Sequence, residues 1–170
     1  MLGFYENFPE TIHRIEVFKA FMSIKSVQQK LIHVLHSINL TKFSFEQVSC
    51  PTVPECSIIF EAGLADAGSF TYIDEEETRK ALTAVRKSPF HILDVFCAVR
   101  YYKGTVENKT PLKFDYYLIR LIFDKNTVEI QVFHDRGPRY ISPEDIIAFL
   151  VNEVNKNSSR KTLKRVEAYP

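Results

Sequence analysis

The sequence predicts a single α+β domain: a mostly antiparallel sheet of five or six strands, packed with an N-terminal helix, a surface helix and a capped C-terminal helix. Three long runs of strand-like composition follow one another in the middle of the chain, and helical patterns lie on both sides of them. The chain has 170 residues, of which 45% are hydrophobic. This length and composition suit one domain with one hydrophobic core.

The predicted N-terminal helix covers residues 10–38, with a break near Ser23. Apolar residues recur every three or four positions in its second half, as on one face of an amphipathic helix. These residues are Ile24, Val27, Leu31, Val34, Leu35 and Ile38. The first half, around Ile15 and Phe21, is more broadly apolar. This predicts either that the rest of the protein covers this part of the helix on two sides or that it docks a partner.

Three short strands are expected between this helix and the centre of the chain. Alternating apolar and polar residues favour strands at 42–48 and 56–62, with a loop containing two prolines, Pro51 and Pro54, between them. A turn bracketed by two glycines leads to the third strand, at 69–73.

A surface helix is predicted over residues 74–87. Asp74 is suited to cap its N-terminus, and the three glutamates that follow complement the helix dipole. Arg86 and Lys87 lie in the last turn, and Pro89 ends the helix.

The centre of the predicted fold is an antiparallel meander. Its strands are expected at 90–102, 112–123 and 127–134. The polar loop 103–111 joins the first two, and a turn at 124–126 is short enough to make the last two a hairpin.

The last helix has the clearest boundary in the sequence. Ser142 is the expected N-cap, Pro143 takes the first helical position and Asp145 stands where a capping-box acid would be. A wide apolar face follows, which indicates that the helix packs on the core.

Charge divides the chain into a body and a tail. Residues 156–170 contain five basic residues and one acidic residue, a net charge of +4, so the residues before them carry −3. We therefore expect one domain at 1–155 and a mobile basic tail at 156–170.

Composition excludes several classes of protein. The overall charge of +1 disfavours a protein that wraps duplex DNA. No apolar run approaches the length of a membrane span, so we expect no membrane partner. Cys50, Cys56 and Cys97 form no disulfide or zinc pattern, and residues 1–9 do not resemble a secretory signal. The expected location is cytoplasmic or otherwise intracellular.

The sequence predicts no catalytic residues, no metal site and no cofactor. His33 and His36 lie on the polar side of a helix with no further ligand at a useful spacing. The acidic residues around Asp74 are explained by helix capping and lack the spacing of a calcium-binding loop. Gly63 and Gly68 have the spacing of a P-loop without its lysine. An enzyme with an aromatic-lined cavity is therefore the least favoured of three functional classes.

A mixed face on the central strands is the main candidate site. Alternate residues of 90–102 and 112–123 form one apolar side and one side that carries arginine among aromatic residues. If the two mixed sides coincide, they form a platform on which splayed bases stack while arginine binds phosphate. The platform residues are Phe96, Arg100, Tyr102, Tyr116 and Arg120. The alternative is that a helix covers this face and each arginine pairs with an acid.

The connection at 134–140 is the second candidate. Backbone amides near the following helix, with Arg136, Arg139 and Tyr140, suit an anion site. A purely structural connection is the stronger interpretation, and catalysis by its His-Asp pair is the weakest.

These patterns favour a non-catalytic protein that binds single-stranded nucleic acid. Its predicted contacts are the platform, the connection and the tail residues Lys161, Lys164 and Arg165. The alternative is an accessory subunit that docks on a protein partner, or forms a homodimer, through its apolar helices.

Overall fold

The computed structural model describes residues 1–49, 55–103, 110–156, 158 and 160–166. Its elements are β1 (Arg14–Ala20), α1 (Ile24–Leu40), β2 (Lys42–Ser44), β3 (Cys56–Asp66), β4 (Ser69–Tyr72), α2 (Glu75–Lys87), β5 (Ile92–Lys103), β6 (Thr110–Phe123), β7 (Thr127–Arg136), α3 (Pro143–Asn155) and β8 (Leu163–Arg165). Cys50 and the predicted loop with Pro51 and Pro54 lie outside the described residues, as do positions 104–109 of the loop predicted at 103–111.

All eight strands belong to one antiparallel sheet, which confirms the predicted α+β class with more strands than expected. The strand order is β2-β3-β5-β6-β7-β1-β8, and β4 pairs with the end of β3. The predicted meander is the centre of this sheet, because β5 pairs with β6 and β6 pairs with β7.

α1 and α3 pack on one face of the sheet, α2 packs against α1, and the buried apolar residues described form a single hydrophobic core. α1 lies against β3, and α3 lies against β7, β1 and β8. The rings of Phe43, Phe60 and Phe149 join β2, β3 and α3, with centroids 5.1–5.7 Å apart. The described residues therefore form two layers, and none of their helices lies on the other face of the sheet, which we call the helix-free face.

β1 corrects the prediction of one long N-terminal helix. Residues 14–20 form a strand that pairs with β7 on one side and β8 on the other, and only 24–40 are helical. Glu16, Phe18 and Ala20 are buried while the residues between them face outward. This burial at every second residue is the period of a strand, whereas the apolar residues of the segment, Ile15, Val17, Phe18 and Ala20, lie on both of its sides and do not by themselves distinguish a strand from a helix. Pairing with two strands from the other end of the chain favours the extended form. Ser23 caps α1 by accepting a hydrogen bond from the Ser26 amide at 3.1 Å.

Part of the segment predicted to be a tail is also a strand. Leu163, which is 3% exposed, lies in β8 and packs into the core. The Asn155 side chain fixes the start of β8. Its Oδ1 accepts hydrogen bonds from the amides of Thr162 and Leu163 at 2.8 and 2.9 Å, and its Nδ2 donates to the Leu163 carbonyl at 3.0 Å. The sheet therefore extends beyond the predicted domain limit of residue 155.

The predicted helix caps are present. Asp74 accepts from the Glu77 amide at 2.8 Å, and Ser142 accepts from the Asp145 amide at 3.1 Å. The Asp145 carboxylate accepts a hydrogen bond from the Ser49 hydroxyl at 2.6 Å, which ties α3 to the segment after β2.

Candidate functional site

The two mixed strand sides predicted from the sequence coincide on the helix-free face. The β5–β6 register places Asp94 opposite Arg120, Ala98 opposite Tyr116 and Arg100 opposite Phe114. Cross-strand partners share a face of a sheet, so all five platform residues lie on one side. No helix of the described residues covers them.

Five rings form a row across this face, which we call the aromatic row: Tyr5, Phe70, Phe96, Tyr116 and Phe114. Successive ring centroids along the row are 4.6, 5.6, 5.6 and 6.4 Å apart. The row starts in the N-terminal segment, crosses β4 and β5, and ends on β6. Phe114 is 41% exposed, and Phe70, Phe96 and Tyr116 are half-buried. The protein thus presents a continuous aromatic surface on the face that no helix of the described residues covers.

Two arginines lie over the β6 end of the row. The Arg100 guanidinium is 5.6 Å from the Phe114 ring centroid, and that of Arg136 is 5.5 Å from the Tyr116 ring centroid. Arg100 also bonds to Glu61 at 2.7 Å. A hydrogen bond with the Tyr102 side chain and the charge of Glu61 raise the pKa of Arg100, against the opposite effect of burial. The Arg136 side chain is 74% exposed and its guanidinium is 3.4 Å from Asp135.

Arg120 pairs with an acid, as the alternative interpretation of this face expected, but the N-terminal segment covers it in place of a helix. Its Nε and Nη2 donate to the two oxygens of Asp94 at 2.7 and 2.8 Å, and the Asp94 side chain is 0% exposed. The rings of Phe4 and Phe8 lie 5.2 and 4.3 Å from the guanidinium. Arg120 therefore lies beneath the N-terminal segment, with 18% of its side chain exposed.

The N-terminal segment is held to the sheet by backbone contacts around this ion pair. The Tyr5 amide donates to Asp94 at 2.7 Å, and the Gly3 amide and carbonyl bond to Ala65 and to the Asp94 backbone, each at 2.6 Å. Gly3 thus bridges β3 and β5 beyond the point where their own pairing ends. The Asp94–Arg120 pair fixes the segment that carries Tyr5 into the aromatic row.

The connection at 134–140 is held by a buried carboxylate. Asp115, 0% exposed, accepts hydrogen bonds from the Arg139 amide at 2.7 Å, the Tyr140 amide at 2.9 Å, His134 Nε2 at 2.7 Å and the Tyr101 hydroxyl at 2.5 Å. An internal carboxylate therefore occupies the position in which the sequence suggested a bound anion. The Arg139 side chain is exposed, while Tyr140 packs edge-on against Tyr101 at 5.0 Å.

Two tyrosines complete this buried polar cluster. The Tyr117 hydroxyl donates to the Ile141 carbonyl, as Tyr101 donates to Asp115. Burial is the main cause that raises the pKa of both phenols, and the charge of Asp115 adds to it. Both hydroxyls therefore stay protonated and serve as donors that fix the connection.

The basic residues predicted in the tail lie at the edge of the sheet that β8 forms beside β1. The register pairs Lys19 with Lys164 and Phe18 with Arg165. Lys161 and Lys164 are exposed, and Arg165 contacts Glu16 at 3.1 Å. Lys164 shares the helix-free face with Lys19, at a distance of several strands from the aromatic row.

The other sequence candidates are not brought together into a site. Within the described ranges no group of three or more His, Cys, Asp or Glu residues is placed to hold a metal ion. Cys97 is buried, and burial raises its pKa to about 12.

None of the helices in the part of the chain described is long and apolar enough to cross a membrane.

Four residues of the site were missed at the sequence level: Tyr5, Glu61, Phe70 and Phe114. Phe114 alternates with Tyr116 on β6, and Phe70 alternates with Tyr72 on β4, so strand periodicity was the signal that could have found them. Tyr5 lies in a segment with no regular pattern, and its position depends on contacts with β3 and β5.

Comparisons with protein-family models, with curated proteins and with solved structures found no match to this chain. Its function is therefore inferred from the geometry of the site.

Proposed function

We propose that this protein binds single-stranded nucleic acid on the helix-free face of its sheet, without catalysis. The observation that carries the proposal is the aromatic row, in which four of the five rings lie on β4, β5 and β6 and the fifth, that of Tyr5, lies on the N-terminal segment. Exposed rings on an open sheet are the surface on which unpaired bases stack. Each base stacked on an aromatic side chain contributes about 1–3 kcal/mol.

Charge at the β6 end of the row supports the same function. Arg136 projects into solvent beside Tyr116, and Arg100 lies beside Phe114. A guanidinium at the edge of a stacking surface suits the phosphate that follows a stacked base, or stacks on the base itself. Arg120 has a positioning role in this proposal, since it holds the N-terminal segment.

The paired lysines of β1 and the edge strand β8 add a second basic position on this face. Lys19 and Lys164 are directly opposite each other on neighbouring strands. Like charges in this arrangement destabilise a sheet, so the pair has no structural benefit of its own. A phosphate bound between them relieves the repulsion, which suits a strand that runs from the aromatic row toward this edge.

The alternative of an accessory subunit that docks through its apolar helices has less support. The apolar residues of α1 and α3 are largely buried in the protein's own core. Ile15 and Phe21, which suggested a docking surface, are each 52% exposed but lie in or beside β1. The proposed partner is therefore a nucleic acid. If the binding assay detects no nucleic-acid binding, the alternative of a protein partner or a homodimer through the N-terminal helix is favoured.

Fluorescence anisotropy with labelled single-stranded DNA and RNA, over a salt series, tests the proposal. We expect micromolar or tighter binding that weakens as salt increases. Tyr116→Ala and Phe96→Ala should each weaken binding about 5- to 150-fold, the equivalent of about 1–3 kcal/mol. Leu40→Ala is the matched control, because Leu40 is an exposed apolar residue on α1, in the other layer.

The salt dependence separates stacking from phosphate contacts. Arg136→Gln should reduce the slope of log K against log salt by about 0.7 if Arg136 contacts one phosphate of a single strand. Absence of salt-sensitive binding at micromolar protein would refute the proposed function. Binding that Tyr116→Ala and Phe96→Ala leave unchanged would move the site away from this face.

A further inference from the structure

A shallow groove beside the aromatic row has a composition that suits one particular base. It has a volume of about 180 Å³ and lies over β3, between β4 and β5. Tyr72 projects from β4 beside Gly63. The rings of Phe70 and Phe96, whose centroids are 5.6 Å apart, meet at one end of the groove, and Glu61 lies toward the other end, beside Ala98.

The floor of this groove consists of residues with little or no side chain. Gly63 and Ala98 lie on the helix-free face of β3 and β5, where their neighbours along each strand carry Glu61, Phe96 and Arg100. A Cβ on Gly63 would lie 3.2 Å from the Thr71 carbonyl oxygen, closer than ordinary contact. Because the side chains of these floor residues are small, a flat, recessed surface remains between the larger side chains, and its shape suits a planar group.

The carboxylate of Glu61 gives the groove a polar end with a defined orientation. Glu61 forms an ion pair with Arg100, with 2.7 Å between Oε1 and Nη2, and the Arg100 guanidinium lies against the Phe114 ring. The Glu61 side chain is 38% exposed. Since a carboxylate has about four acceptor positions, the contact with Arg100 leaves capacity for further donors at the groove.

The bases differ in what they offer to such a carboxylate. Guanine presents two adjacent donors on its Watson–Crick edge, the N1–H and the 2-amino group, which match the two oxygens of a carboxylate. Thymine and uracil present one N–H between two carbonyl oxygens, which repel a carboxylate. Adenine and cytosine present one amino group beside an acceptor nitrogen.

We propose that this groove binds a guanine base of the single strand, with its Watson–Crick edge on Glu61. The proposal rests on the proposed function of the same face and adds base specificity to it. Phe96 belongs both to the groove and to the aromatic row, so a guanine in the groove continues the stack of the neighbouring bases.

Anisotropy with oligothymidylates of about eight nucleotides tests the proposal. The central nucleotide is thymidine, guanosine, inosine, adenosine or cytidine, and all else is constant. A bidentate contact predicts that the guanosine strand binds about 5- to 150-fold tighter than the all-thymidine strand. Inosine lacks the 2-amino group and should fall between them.

Glu61→Gln is the diagnostic variant, because it keeps the size of the side chain and removes one acceptor and the charge. It should abolish the preference for guanosine while binding to the all-thymidine strand persists. Glu129→Gln is the control: Glu129 lies on the same face, on β7, away from the groove. Circular dichroism establishes that both variants are folded.

The possible failures are distinguishable. If every strand binds equally well to the unaltered protein, the guanine groove is refuted while the proposed function stands. If guanosine is preferred and Glu61→Gln retains the preference, the assigned contact is wrong. If no strand binds, the proposed function itself fails and the groove with it.

Discussion

Replacing Asp115 with asparagine should lower the free energy of unfolding by about 2–4 kcal/mol. The carboxylate is fully buried and accepts four hydrogen bonds, two on each oxygen. Oδ1 faces His134 and the Arg139 amide, and Oδ2 faces Tyr101 and the Tyr140 amide. Asparagine has nearly the same size, so the change tests hydrogen bonding with little effect on packing.

The magnitude follows from the donors. Whichever way the asparagine side chain is oriented, its NH2 group replaces one carboxylate oxygen and faces the backbone N–H of Arg139 or Tyr140. Both groups are donors, so that backbone N–H loses its acceptor. A buried donor left without a partner costs about 1–3 kcal/mol, and the remaining bonds lose the assistance of the charge, about 1 kcal/mol more. Total stabilities of about 5–15 kcal/mol leave the variant folded.

Urea unfolding followed by circular dichroism measures this loss, since the chain has no tryptophan to report on it by fluorescence. Tyr101→Phe is the matched control: it removes one hydroxyl donor, leaves both backbone amides satisfied and should cost about 1–2 kcal/mol. A loss below about 1 kcal/mol for Asp115→Asn, at an unchanged m-value, would refute the role given to this carboxylate.

Three further predictions follow from single residues. Gly137 has φ +112°, and a Cβ there would lie 2.2 Å from the Phe114 carbonyl oxygen, so Gly137→Ala should cost at least about 2 kcal/mol in urea unfolding; a neutral substitution would contradict this geometry. Cys97, with a pKa raised to about 12 by burial, should resist alkylation in the folded protein and react once urea unfolds it, as peptide mapping by mass spectrometry would show; rapid labelling in the native state would overturn its assigned burial. Burial, with a smaller effect of the Arg139 charge, lowers the pKa of His13 from 6.5, so the unfolded chain binds this proton more readily and stability decreases as pH falls through that value. The decrease in melting temperature between about pH 7.5 and about pH 5 should be smaller in His13→Asn, whereas equal slopes would show that His13 does not contribute.

The central strands were predictable because their signals are local. Alternation along β5 and β6 separates core residues from the mixed side, and the turn at 124–126 sets the neighbouring hairpin. Once β5 and β6 pair in register, Phe96, Arg100 and Tyr116 necessarily share a face. This part of the candidate site therefore follows from strand periodicity.

β1 and β8 were not predictable from local patterns. Residues 14–20 have apolar positions compatible with a helix or a strand, and the strand forms because β7 and β8 pair with it from the other end of the chain. β8 has only three residues and is held by the side chain of Asn155. For both strands the pairing partner is distant in sequence, since β1 and β8 pair with each other.

The environments of the charged residues were likewise not predictable from the sequence. Pairing of Arg120 with an acid was one of two alternatives that the sequence left open, and Asp94 lies on the neighbouring strand, but the cover by Phe4 and Phe8 depends on a segment without regular structure. The connection at 134–140 looks like an anion site until Asp115, from another strand, is seen to bond its amides. Sequence identified the chemical groups, and tertiary contacts determine which of them face solvent.

Photo-crosslinking tests the location of the proposed interface most directly. A single strand that carries 5-iodouridine, bound at low salt and irradiated, attaches to aromatic residues that stack on its bases, and mass spectrometry identifies the attached peptides. The proposed interface predicts cross-links on Phe96, Tyr116 and Phe114, lost when an unlabelled strand competes. Cross-links confined to the helical layer or to residues 160–166, with none on β5 or β6, would contradict it.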